Sequence, residues 1–133
     1  MAAFQKYQDI AYVMETKVEH SNDLVNYADG NVLSLANNSV TDLRQNNLAM
    51  QGVIKINANV TGIDVNAKPL PAVTINTCID STKFNSHFTY GPKKGQAAGL
   101  SPTKPTVSVF LVHKSADGKW RVNSVTPQEG KTC

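Results

Sequence analysis

Gly52-Val53-Ile54-Lys55-Ile56-Asn57-Ala58-Asn59-Val60 is the stretch where this chain changes its period. Ile54, Ile56, Ala58 and Val60 alternate with Lys55, Asn57 and Asn59, the two-residue period of a strand with one face buried. Upstream of Gly52 the apolar residues recur every three or four positions instead. Phe4, Tyr7, Ala11, Met14 and Val18 share one helical face over residues 4–20, widened by Ile10 and Val13. Ser21-Asn22-Asp23 breaks that helix, Leu24 to Tyr27 adds one further turn, and Asp29-Gly30 is a turn signal. From Val32 to Met50 the helical pattern returns, with Ala36, Val40, Leu43 and Met50 on a common face. Asn37-Asn38-Ser39 is expected to interrupt it and to cap a second helix from Val40.

Downstream of the switch everything reads as strand and turn. Lys68-Pro69-Leu70-Pro71 ends the first hairpin arm, because proline cannot sit within a central ladder. Val73, Ile75, Thr77 and Ile79 then line one strand face, with Thr74, Asn76, Cys78 and Asp80 on the other. A third strand over residues 106–113 places Val107, Val109 and Leu111 opposite Phe110 and Val112. Ala116-Asp117-Gly118 is a tight turn, and Lys119 to Thr126 returns with Val122 and a core-plugging Trp120. Between the second and third strands lies a connection over residues 84–105, rich in glycine and proline and expected to be the most mobile part of the fold. Helices first and antiparallel strands after imply an α+β fold, the helices packed on one face of a curved sheet of four or more strands. We expect one domain over 1–133: helical 4–51, sheet 53–126, and a C-terminal tail 127–133.

Bulk properties exclude more than they identify. The chain has 133 residues, 41% hydrophobic and 17% charged, normal for a folded domain with a proper core. Its net charge of +3 is too small to signify nucleic acid. Residues 1–66 carry four basic and seven acidic side chains, and residues 67–133 carry nine and three. Such asymmetry marks either two halves facing each other or a surface for an anionic partner. Ala2 to Ile10 contains Gln5, Lys6, Gln8 and Asp9, so no apolar export segment is present; if the chain is exported, we expect a signal or anchor to have been removed and Met1 to be an introduced start. Gly91-Pro92-Lys93-Lys94-Gly95 lacks the ending of a phosphate loop, and neither a nucleophile elbow nor a His-Glu-x-x-His motif occurs.

The two cysteines, Cys78 within a strand and Cys133 at the last position, allow a disulfide, two free thiols or a share of a metal site. With His20, His87 and His113 scattered, metal spacing is missing, so no metal and no cofactor are expected. We expect Cys78 and Cys133 to be bonded. A bridge pins an end that otherwise frays, and it points to an oxidising, extracytoplasmic compartment.

The run Val73-Thr74-Ile75-Asn76-Thr77-Cys78-Ile79-Asp80-Ser81, with Asp117-Gly118-Lys119-Trp120-Arg121-Val122 and the final Cys133, resembles small extracytoplasmic proteins, often lipoproteins, of Gram-positive and especially actinobacterial cells and their phages. Their element order is similar to that of the nuclear-transport-factor-2-like superfamily, a cone of helices closed against a curved sheet. The resemblance implies a cone pocket, which some relatives use for isomerase, dehydratase or cyclase chemistry with an Asp or His base and a Tyr donor. The candidates here are Tyr12, Asp80, His87 and Tyr90; none lies in a motif of those enzymes, so no catalytic residue is carried over. Lys93, Lys94 and Lys104 are candidate contacts for an anionic partner. The expected function is non-enzymatic extracytoplasmic binding of a protein or envelope component, with no nucleic acid, membrane attachment solely through an anchor, and a homodimer through the sheet as an option. The alternatives are a small-molecule carrier or enzyme using the pocket, and an assembly module of a secretion or conjugation machine.

Overall fold

The computed structural model describes residues 1–66, 71–99 and 102–133. Lys68, Pro69 and Leu70 of the first hairpin, and Leu100 of the long connection, lie outside the described residues. Helix α1 spans Ala2–Lys17, a 3-10 turn Leu24–Asn26, and helix α2 Gly30–Gln45. Strands β1 (Leu48–Asp64), β2 (Ala72–Phe88), β3 (Thr106–Lys114) and β4 (Trp120–Thr132) form an antiparallel sheet in sequence order. The α+β architecture expected from the period change is therefore present, with both helices on one face of the sheet.

Burial follows the stripes read from the sequence. Phe4 and Met14 of α1 are buried, Tyr7, Ile10 and Val18 pack beside them, and Val32, Val40 and Leu43 of α2 are buried with them against Val73, Ile75, Phe110, Val112 and Val122. Phe4 meets Phe110 edge-on, ring centroids 4.9 Å apart. Trp120 lies against this core, as expected. Each such fully buried side chain stabilises the fold by roughly 1.5–3 kcal/mol.

Four boundaries differ from expectation. Helix α2 runs unbroken through Asn37-Asn38-Ser39, because continuity aligns Val32, Val40 and Leu43 over the sheet and the polar side chains find other partners. Asn37 Oδ1 lies 3.2 Å from His20 Nδ1, on the side away from the core. Met50 belongs to β1 rather than to the helix, since the strand begins at Leu48 opposite Phe88. Strand β2 continues to Phe88, so Phe84 and His87 are strand residues and not part of the connection. The tail over 127–133 is mostly strand: β4 reaches Thr132, opposite Thr106, after a bulge around Gly130.

The connection itself is less of an excursion than its composition implies. Phe88 N donates to Gln96 O, Gly95 N to Phe88 O, Ala98 N to Ser86 O, and Thr89 N to Asn47 O, all between 2.8 and 3.0 Å. These bonds fold residues 89–98 back onto the end of β2.

Two glycines are required by their surroundings. Gly52 in β1 has φ +112°, and a Cβ there would sit 1.9 Å from Lys83 O. Gly30 opens α2 at φ +56° with Asn123 O 2.5 Å from where its Cβ would be. The start of α2 is tied to the sheet at that point. Asp29 N donates to Val122 O and Val122 N to Tyr27 O, His113 Nε2 lies 2.7 Å from Asp29 Oδ2, and Asn123 Nδ2 donates to Asp29 Oδ1.

Candidate functional site

The helices do not cover the whole sheet. On the helix-facing side, Ile75 of β2 is 1% exposed, whereas Val60, its partner across the ladder on β1, is 51% exposed. Ile63, opposite the buried Val73, is 70% exposed. The cover therefore reaches the first part of β1, where Ala49 is buried, and gives out beyond Ile56, leaving the apolar face of its later half open. Strand β1 is also an edge of the sheet.

Where α1 runs beside this face a groove of about 600 Å³ opens. Its floor is Ile54, Ile56, Ile79, Phe84 and Phe110, and its wall is Gln8, Ala11, Tyr12 and Glu15 of α1. The spacing of 8, 11, 12 and 15 follows from the helical period: these residues flank the buried stripe and look sideways over β1. The Tyr12 hydroxyl donates to Gly52 O at 2.8 Å, and its ring stacks on Phe84 at 5.6 Å between centroids. This fixes α1 to β1 beside the bulge in β2 and sets the width of the groove.

The charged groups lining the groove are Asp9 and Glu15, both acidic. Burial pushes the Glu15 carboxyl above its usual range, with a hydrogen bond from Ser39 pulling the other way. Burial, reinforced by the Glu15 charge, pushes the Tyr7 hydroxyl up to about 12. Gln8 Nε2 is buried and has no hydrogen-bond partner among the described residues. The surface is thus apolar and aromatic, with a negative group and an unused donor along one wall.

Of the four residues assigned to a common pocket, Tyr12 alone lines this groove. Asp80 follows the groove residue Ile79 and so points to the other face, opposite Lys55. There its Oδ1 accepts from Thr82 N at 3.0 Å and from Thr82 Oγ1 at 2.6 Å, bonds that hold its carboxyl below the usual range and shape the bulge in β2. His87 borders a separate cavity of about 440 Å³ between the C-terminal ends of the helices, with its Nδ1 unpartnered among the described residues. Tyr90 is 76% exposed. The geometry does not bring these four together. Lys93, Lys94 and Lys104 are all exposed, with Lys93 Nζ 5.9 Å from the centre of the Phe88 ring. Glu15 and Gln8 were missed; their signal was their place beside the apolar stripe, which sequence alone reads as a solvated helix flank, while Tyr7 and Ala11 were read solely as members of that stripe.

Cys78 and Cys133 are bonded, with Cα atoms 5.9 Å apart, on the sheet face away from the helices. Among the described residues no group of three or more His, Cys, Asp or Glu side chains is placed to hold a metal ion. Among them, too, no helix is long and apolar enough to cross a membrane.

No family model matches the sequence, and no curated protein matches it. Among solved structures it is similar to the crystal structure of the intermembrane space region of the chloroplast protein ARC6, with a TM-score of 0.59 at 13% identity. The match covers 95% of this chain and 91% of that one. At that identity the likeness concerns the fold alone.

Proposed function

We propose that this chain is a non-enzymatic extracytoplasmic domain of the nuclear-transport-factor-2-like type that binds a protein partner through the open face of β1 and the groove beside α1. The observation that carries this reading is the exposure of Val60 and Ile63 directly beside the buried Ile75 and Val73. An apolar strip continuous with a groove marks an interaction site. The acid–base candidates Asp80, His87 and Tyr90 do not line the groove, so the constellation that enzyme chemistry needs is not assembled there. The extracytoplasmic part rests on the Cys78–Cys133 bond.

A second reading, a small-molecule carrier, is favoured by one observation: a volume of about 600 Å³ falls in the range of ligand pockets. Site-specific photo-crosslinking separates the two. A crosslinker at Val53 or Ile63 should join the domain to a protein in its native setting, and one at the exposed Leu35 of α2 should not. Equal crosslinking from all three positions, or none from β1, would overturn the protein-binding reading.

A further inference from the structure

The two edges of the sheet are not equivalent, and the difference identifies what sits on β1. The edge of β4 is blunted: Val122 spends its outward N–H and C=O on Tyr27 and Asp29, and Pro127 and two irregularities interrupt the rest. Proline, bulges and a covering segment are the usual means of keeping an edge from pairing. Strand β1 has no proline in its 17 residues, and between its irregularities Lys55 to Val60 keeps an unbroken register with β2. Among the described residues nothing pairs with its backbone there on the outer side, and its helix-facing side chains, Ile56, Ala58 and Val60, are apolar. An unpaired regular edge with an apolar face matches an added strand, in which backbone bonds supply affinity and alternate side chains supply choice.

Charge selects among strands. The ionisable carboxylates along the adjoining wall are Asp9 and Glu15, with no lysine or arginine in the groove lining, and residues 1–66 as a whole carry seven acidic against four basic side chains. An acidic segment would place like charges in a partly dehydrated groove, whereas a basic one would meet opposite charge beside the aromatic rings of Tyr12 and Phe84. Resting on the binding reading above, we infer that the occupant is an extended segment of a partner protein, alternating apolar and polar residues with a lysine or arginine at the groove end, paired antiparallel or parallel to Lys55–Val60.

The test uses two short alternating valine–threonine peptides, one with lysine at both ends and one with glutamate, titrated into the intact domain and followed by backbone amide shifts. The lysine peptide should move β1 amides and not those of β4, and bind roughly tenfold or more tighter than the glutamate peptide at low salt. The preference should shrink as salt screens it. In Asp9→Asn/Glu15→Gln it should fall towards unity, while Val60→Thr/Ile63→Thr should weaken both peptides. Unchanged β3 amides in these variants show that the fold is kept. Equal binding of the two peptides would overturn the basic character of the occupant and leave β1 as the binding edge. Failure of both to bind overturns the strand-addition inference: a concentration-dependent dimer with protected β1 amides then assigns the edge to a second copy, and a monomer leaves the crosslinking result to decide the broader reading independently.

Discussion

Glu15 shows how one side chain's surroundings convert into a measurable property. Burial raises its carboxyl above the ordinary 4.5, so between that pH and its folded value the native state holds more protons than the unfolded chain. Stability therefore falls as pH rises through this window, and above it the ionised carboxylate is a standing cost to the fold. We expect Glu15→Gln to raise the melting temperature at pH 7, with the gain narrowing below pH 4.5, where Glu15 is protonated in both states. Thermal unfolding of both proteins across this range checks it; a loss of stability at pH 7 would mean that Glu15 is held as a useful anion. None of this is legible in the sequence, where Glu15 belongs to the polar flank of an amphipathic helix. Its burial, and the hydrogen bond from Ser39 that opposes it, are set by packing between segments distant in the chain. Asp80, a pocket candidate by sequence, instead holds a bulge within β2 through Thr82, two places on, a local arrangement.

Elements differ in how far local pattern governs them. The start of β1 and the end of β2 pair with each other, Leu48 with Phe88, so each extends as far as its partner does. No local signal marks such an end, and the sequence reading stopped both strands short for that reason. In α2 the Asn37-Asn38-Ser39 cluster favours a break by local preference, but burial of Val32, Val40 and Leu43 along one unbroken helix outweighs a few tenths of a kcal/mol per asparagine. Hydrogen exchange tests the hierarchy. Amides of β3, flanked on both sides, should exchange slowest, and the outward amides of Lys55–Val60 fast. The amides of Gly95, Gln96 and Ala98 bear on the connection: Gly95 and Ala98 donate to β2 carbonyls and Gln96 to Lys93, so we expect measurable protection where composition alone implied mobility. Exchange of all three at the rate of an unstructured peptide would restore the original expectation.

On the scale of the whole molecule, the disulfide closes the sheet. Cys133, just past the end of β4, reaches over the start of β3 to Cys78 on β2, which fastens three strands on the face the helices leave bare. The bridge spans 55 positions, and a loop of that length stabilises by about 4 kcal/mol in the chain-entropy picture. Cys78→Ser/Cys133→Ser should lower the melting temperature by on the order of 10 °C. An unchanged value would mean that the end of β4 holds without it. The bridge was legible because alternation alone sent Cys78 to the face opposite Ile75 and Ile79, where a returning chain end can reach it. The same alternation, with the helical period before it, determined the α+β class, the order of the elements and the composition of the core, since periodicity is a property of each segment by itself. What only the tertiary structure decided is how far the helical layer extends. Ile75 and Val60 carry similar side chains in equivalent patterns, yet one is buried and the other is open, because two helices of 16 residues leave the later half of β1 uncovered. The groove, its acidic wall and the free edge all follow from that shortfall in cover, a matter of packing between segments far apart in the chain.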